Sequence, residues 1–391
     1  MNGSLSSARS IQGQRGQETR EWSKLILGLA ILVFAIGYVV RPDSITNGRV
    51  GYLIIFDIQT CNSFESWLTL DFPSRVYAAI AYVLPFDPTS LSAWDALIAL
   101  AGGMILLSML SFFTGKEDYT IVQAGLVLAA VALCGVYIFM LNKDFLQFLV
   151  FLTAFGFIVS RMSFRGKMAG CTTLFVLEFL LWRQYYIIVA VFLAGLYFAL
   201  KYACLKTRSV RSRIVAFLAL AIAGMFLFSM VLFVASPDNY AAVVGKHGVD
   251  REEYTVMAAA SGIASLIDVT PSSPPYLFVA NWVVNTVRLL FPMELFLKGP
   301  YYAVFAVYQL CISIFAFRAL SRAKETNREA MLAVALYFAF VLASSTFEPD
   351  FGSWVRHETA CLPVILLVVS VSRNGSLAGL AKRGKRIERH A

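Results

Sequence analysis

Apolar stretches of about 15–25 residues recur from Leu25 to Ser372, with short polar segments between them. A helix of about 20 apolar residues crosses the roughly 30 Å hydrocarbon core of a bilayer. The pattern predicts an all-α, polytopic membrane protein with about ten transmembrane helices, or up to about twelve if two shorter runs also cross. The ten predicted spans lie near 25–40, 91–113, 119–141, 145–160, 168–182, 185–204, 214–235, 301–318, 329–345 and 358–372.

The two shorter apolar runs, 75–84 and 276–297, are predicted not to cross. The second run contains Asn281, Asn285, Arg288 and Glu294. A full crossing there would also move the basic C-terminal tail to the outer side. We therefore expect this run to lie on, or dip into, the outer leaflet with its polar side chains facing protein or water.

The composition supports a membrane protein and excludes other classes. The chain is 59% hydrophobic and 15% charged, whereas soluble domains carry about 25% charged residues. This excludes a soluble enzyme and a disordered chain, and the long apolar runs lack the alternation of an outer-membrane β-barrel. The net charge of +9 is distributed over loops and tails, not along one groove, so no nucleic-acid partner is expected.

The basic residues predict the orientation in the membrane. They concentrate in the loops 161–167, 201–213 and 318–328 and in the two tails, which the positive-inside rule places in the cytoplasm. The predicted organisation is a cytoplasmic tail over 1–24, one transmembrane domain over 25–372 and a basic cytoplasmic tail over 373–391. The outer face then receives the large segments 41–90 and 236–300, and we expect a functional site on this more elaborate side.

The outer connection 346–358 is the most informative segment. Pro349 and Gly352 predict a turn, with the next span beginning near Arg356. Arg356 is either an interfacial anchor that reaches the lipid headgroups or a ligand for phosphate or diphosphate, for which the planar guanidinium fork is suited. Its position on the outer side of a span favours the second interpretation.

His357 is a candidate general base, because the adjacent positive charge of Arg356 favours the neutral imidazole. It is equally well explained as a spectator bonded to the turn backbone. The rival bases within similar reach are Glu348, Asp350 and Glu358.

Arg183 lies at a tight turn between two apolar runs. It either caps the hairpin, with Glu178 as its partner, or provides a second cation for the same anionic ligand. Weaker candidates on the outer side are Arg288, Lys298, Lys246, His247 and Arg251. The chain has no phosphate-binding loop, no HExxH motif and no cysteine or histidine spacing typical of a metal site. We therefore expect neither a metal nor a cofactor.

From Gly352 through Arg356 and His357 to Pro363, the chain resembles the bacterial polysaccharide polymerases of the O-antigen polymerase (Wzy) type. Arg183 with Tyr185 and Tyr186, and the stretch 85–88 before a long span, resemble the same family. The chain departs from the family at Glu358, where a second basic residue often follows the first.

The resemblance implies a GT-C-like membrane glycosyltransferase in the bacterial inner membrane. It would polymerise undecaprenyl-diphosphate-linked repeat units into O antigen, capsule or exopolysaccharide on the periplasmic face, with a chain-length regulator and a flippase as partners. Together with the residue patterns, it predicts catalytic roles for Arg356, His357 and Arg183. The predicted substrate-binding residues are Arg288, Gly352, Glu348, Asp350, Tyr185 and Lys298.

Two alternatives to a polymerase remain open from the sequence. The first is a related enzyme, either an O-antigen ligase or another glycosyltransferase that uses a polyprenyl-linked sugar. The second is a transporter of a lipid-linked sugar, which is disfavoured because Glu178 is the one acidic residue placed clearly inside a predicted span.

Overall fold

The computed structural model describes residues 22–41, 49–83, 87, 89–114, 119–183, 185–206, 209–244, 266–267, 269–324, 326–348 and 350–377. Most of both predicted tails lies outside these ranges, as do Lys246, His247, Arg251 and most of the 85–88 stretch. The described residues form helices and include no β-strand, which confirms the predicted all-α class. They divide into two compact units, Met1–Leu149 and Val150–Ala391.

Within the described residues, seven helices are long and apolar enough to cross a membrane, and a bent helix pair near the C-terminus would make an eighth. The chain is therefore a multi-pass membrane protein. Three predicted spans are not among these seven. The span 358–372 falls in the bent pair, 145–160 falls in a helix of 17 residues (Lys143–Val159), and 168–182 falls in a helix (Phe164–Leu181) that contains Arg165, Lys167 and Glu178. The count of ten spans stays a prediction.

The described residues of the first unit form six complete helices and the beginning of a seventh. They are α1 (Trp22–Val39), α2 (Arg49–Thr60), α3 (Phe64–Thr69), α4 (Phe72–Val83), α5 (Leu91–Thr114), α6 (Ile121–Leu133) and the first part of α7 (Lys143–Val159). Helix α6 continues into a π-helical turn, Cys134–Ile138.

A buried arginine holds the π-helical turn in place. The Arg41 guanidinium donates to the carbonyl oxygens of Gly135 at 2.7 Å and Phe139 at 3.1 Å, and lies 3.4 Å from the Asp95 carboxylate. Asp95 also accepts the N–H of Leu141 at 2.8 Å. The backbone groups freed where the helix unwinds are thus bonded to side chains, as an apolar interior requires.

Helices α1 and α6 approach so closely that they need glycine at their crossing. A Cβ atom at Gly37 would collide with the carbonyl oxygen of Ala132, and one at Gly135 would lie 2.7 Å from the carbonyl oxygen of Phe34. Small residues that let two backbones approach are a common means of packing helices in membranes.

In the second unit, the described residues form the rest of α7 and eight further named helices. They are α8 (Phe164–Leu181), α9 (Tyr186–Lys206), α10 (Val210–Ala235), α11 (Pro275–Leu290), α12 (Pro300–Arg322), α13 (Arg328–Phe347), α14 (Phe351–Ala360) and α15 (Leu362–Asn374). A short helical segment over 237–244 and a 3-10 helix, Met293–Lys298, complete the described part of this unit.

Helix α13 is the centre of the second unit. It is apolar on all sides, and every residue from Ala330 to Thr346 is buried. A helix that is hydrophobic all round is expected in the interior of a bundle, and α8, α9, α11, α12 and α15 pack around this one. This helix is therefore held on several sides.

The basic residues at the predicted inner end of this unit cap helix termini. Arg213 donates to the carbonyl oxygens of Ser321 and Ala323 at the end of α12. Arg322 donates to the carbonyl oxygens of Ser372 and Arg373 at the end of α15. Cations at these positions also interact favourably with the helix dipole.

We expect Gly135→Ala to lower the stability of the purified protein by about 1–3 kcal/mol, because the added methyl group forces two backbones apart. Thermal unfolding in detergent micelles measures the effect. Gly28→Ala on α1 is the matched control, since a Cβ there meets no atom within 4 Å, and it should unfold at or slightly above the wild-type temperature. Equal stability of the two variants would contradict the close crossing.

Candidate functional site

The polar segment after α13 folds as a turn followed by a short helix. Glu348 ends α13, and its N–H donates to the carbonyl oxygen of Ser344 at 2.8 Å. Asp350 is the N-cap of α14, because its carboxylate accepts the N–H of Ser353 at 2.9 Å. The sequence predicts a turn through Gly352 and a span that begins near Arg356. The cap instead starts α14 at Phe351, so that Gly352, Arg356 and His357 all lie inside this helix.

Helices α14 and α15 are separated by a bend of 78° at Cys361. Pro363 occupies the first turn of α15, where its missing N–H costs no intrahelical hydrogen bond. The predicted span 358–372 is thus two helices at a steep angle. Pro349 lies outside the described residues.

Helix α14 has one buried face and one accessible face. Trp354, Val355, Glu358 and Thr359 are buried. The other face consists of Gly352, which is exposed, and the half-buried residues Ser353, Arg356 and His357. Two of the predicted catalytic residues therefore share the accessible side of one helix.

His357 forms a close pair with Glu348. Its Nδ1 atom lies 2.6 Å from Oε1 of Glu348, and the two side chains are 14% and 4% exposed. A carboxylate accepts hydrogen bonds, so Nδ1 carries the proton and Nε2 is the basic nitrogen. An imidazole oriented by a carboxylate is the arrangement that general bases use.

The mid-chain turn brings Arg183 and Tyr185 to the end of α13. Arg183 donates to the Tyr185 hydroxyl at 3.1 Å, and its guanidinium lies 4.9 Å from the centre of the Trp182 ring. The Tyr185 ring is 5.1 Å from that of Phe347, the residue before Glu348. Arg183, Glu348 and Glu178 all lie close enough to Tyr185 to act on its hydroxyl electrostatically. We call Arg183, Tyr185, Glu348, Arg356 and His357 the outer cluster.

A buried polar network holds the face of α14 that points into the helix bundle. The Glu358 carboxylate accepts the Tyr337 hydroxyl at 2.8 Å and the Gln309 amide at 3.1 Å. The Gln309 carbonyl in turn accepts the indole N–H of Trp354 at 3.0 Å. These bonds join α14 to α12 and α13, and thereby fix which face of α14 is accessible.

Glu358, which the sequence offered as a rival base, belongs to this buried network. Its side chain points into the bundle, away from the accessible face that contains Arg356 and His357. Sequence reasoning missed Gln309, Tyr337 and Trp354 as its partners. The available signal was a carboxyl group near the start of an apolar run, which requires hydrogen-bond partners when it is buried.

Arg288 and Lys298 lie in other segments. Arg288 ends α11 and contacts both carboxylate oxygens of Glu294, at 2.7 and 2.8 Å from Nη2. An anionic ligand would have to compete with that pair. Lys298 is the last residue of the 3-10 helix before α12. The substrate-binding roles of both residues stay predictions.

The outer cluster can bind an anion and accept a proton. Arg183 and Arg356 supply guanidinium groups, and the His357–Glu348 pair supplies a base. Asp350 caps the helix that presents Arg356 and His357, and Gly352 lies on the same accessible face. No protein-family model matches the chain, and no curated protein or solved structure is similar to it.

We expect Glu358→Ala to destabilise the protein strongly, whereas Glu358→Gln should do so much less. Alanine leaves two buried donors, on Tyr337 and Gln309, without their acceptor, at a cost of about 1–3 kcal/mol each. Glutamine keeps one carbonyl oxygen that can accept both bonds. Thermal unfolding of the two variants in the same detergent gives the comparison, and indistinguishable unfolding temperatures would contradict the network.

Proposed function

We propose that the protein is a membrane glycosyltransferase that polymerises polyprenyl-diphosphate-linked oligosaccharide repeat units. In this proposal the site faces the periplasm from the bacterial inner membrane, and the product is O antigen, capsule or exopolysaccharide. The observation that carries the proposal is the outer cluster, in which an oriented histidine, with Arg356 next to it on α14, and Arg183 from a distant part of the chain lie near one end of α13.

The arginines suit the leaving group of this reaction. The acceptor sugar hydroxyl attacks the anomeric carbon of the donor, a new glycosidic bond forms with inversion, and the bond to the lipid diphosphate breaks. Negative charge then grows on the departing diphosphate. Guanidinium groups held in place can stabilise that charge, which is the form of catalysis that contributes most in many enzymes.

The His357–Glu348 pair suits the proton transfer. The attacking hydroxyl loses its proton as the new bond forms, and Nε2 of His357 is the basic atom of the pair. Glu348 stabilises the imidazolium that results and holds the ring in one orientation, which is the role of the carboxylate in other histidine-based sites. The proton leaves to solvent after the lipid diphosphate departs.

The decisive experiment incubates the purified protein, in liposomes, with one defined undecaprenyl-diphosphate-linked repeat unit. A ladder of glycans on the lipid carrier is the expected product. A single addition would indicate another polyprenyl-dependent glycosyltransferase, transfer of the glycan to a different acceptor would indicate a ligase, and an unchanged substrate would contradict glycosyl transfer.

In the same assay, His357→Ala should slow elongation about 10²–10⁴-fold, the range for a lost general base. Arg356→Lys keeps the charge but loses the planar fork, and should slow elongation at least about 10-fold. Arg318→Lys is the matched control, because Arg318 is exposed near the C-terminal end of α12. This variant should elongate the glycan at the wild-type rate. Full activity of Arg356→Lys would remove Arg356 from the mechanism.

A further inference from the structure

A long apolar groove lies between helices α9 and α10. Its volume is about 450 Å³ and its walls are almost wholly apolar. On α9 it runs from Ile188 past Gly195 to Tyr202, and on α10 it includes Ala221, Gly224 and Phe228. All of these residues belong to the second unit, which also contains the outer cluster.

Two glycines keep this groove open. A Cβ atom at Gly195 or Gly224 would meet no other atom within 4 Å, so neither glycine is explained by a close helix crossing. The neighbouring wall residues Val191 and Phe198 are 54% and 61% exposed. The groove therefore opens away from the interior of the bundle, where a transmembrane helix meets lipid.

The groove matches a membrane-embedded chain in length. Ile188 and Tyr202 lie fourteen residues apart on α9, which corresponds to about 21 Å at roughly 1.5 Å per residue. This is about two-thirds of the roughly 30 Å hydrocarbon core. A single extended hydrocarbon chain could lie along it.

One end of the groove adjoins the outer cluster. The N–H of Ile188 donates to the carbonyl oxygen of Tyr185 at 3.0 Å, and the Tyr185 hydroxyl accepts from Arg183. Tyr185 immediately precedes α9, so the end of the groove at Ile188 lies next to a polar turn that contains a cation. Such a surface is complementary to an amphiphile with an anionic head and a long tail.

We propose that this groove binds the isoprenoid tail of a polyprenyl diphosphate whose diphosphate lies at Arg183. The inference rests on the proposed function for the identity of the lipid, and it adds the segment that holds the tail.

Binding to the purified protein tests this proposal without glycosyl transfer. Undecaprenyl diphosphate is titrated in detergent and complexes are counted by native mass spectrometry. Gly195→Leu and Gly224→Leu fill the groove and should raise the dissociation constant at least 10-fold. Gly156→Leu on α7 is the matched control, because Gly156 is also exposed with open space around it, and its dissociation constant should stay at the wild-type value.

Two further measurements separate the tail from the head and from other occupants. Arg183→Ala should weaken the binding of undecaprenyl diphosphate but not that of undecaprenol, which has no phosphate. The leucine variants should weaken the binding of both lipids. Displacement of undecaprenyl diphosphate by an equal amount of phosphatidylglycerol would overturn the proposal in favour of an ordinary lipid groove. A change of oligomeric state in the leucine variants would overturn it in favour of a contact between two copies.

The outcomes also distinguish this proposal from the polymerase reaction. Unchanged affinity in both leucine variants, with wild-type unfolding temperatures, overturns the tail groove whatever the enzyme makes. If the leucine variants weaken binding but the wild-type protein makes no glycan ladder, the groove is supported and the polymerase reaction is not.

Discussion

Helix α13 has no face toward lipid or water, and this burial constrains the rest of the second unit. Its residues from Ala330 to Thr346 are covered by neighbouring helices. The chain can leave the interior only at its two ends, so the first polar side chains after Thr346 necessarily lie at one end of the bundle. Glu348 is held there by Phe347, whose ring meets Tyr185.

Several buried polar groups of the second unit are hydrogen-bonded to each other because the apolar interior contains no water to bond them. A buried carboxyl group costs several kcal/mol unless it finds partners, and Glu358 finds them on two other helices. The same bonds that satisfy this residue also orient α14. Arg356 and His357 are thus positioned by contacts on the opposite side of their own helix.

The sequence was sufficient to predict the class of the protein and most of its long helices. Apolar length alone identified α1, α5, α6, α9, α10, α12 and α13, because crossing a bilayer requires it. The start of α14 was missed because Gly352 and Pro349 favour a turn. The Asp350 carboxylate instead accepts the N–H of Ser353 and caps a helix that starts at Phe351. A local side-chain bond decided this boundary.

The candidate site was predictable residue by residue but not as an arrangement. Arg183, Glu348 and His357 could each be selected by charge in an apolar context. The contact that brings Tyr185 to Phe347 depends on how α9 packs against α13, and no local pattern contains that information. The same holds for Arg288, whose pair with Glu294 forms only because α11 ends at Leu290 and the chain leaves the helical path before Glu294.

The bend at Cys361 sets the depth at which α14 presents its side chains. If α15 is close to the membrane normal, a partner helix at 78° to it lies nearly parallel to the membrane plane. The residues from Gly352 to His357 are then at similar depths, whereas on an upright helix each turn would shift them by about 5.4 Å. A long polar headgroup could therefore lie flat along α14 and contact the residues from Gly352 to His357 without tilting into the hydrocarbon.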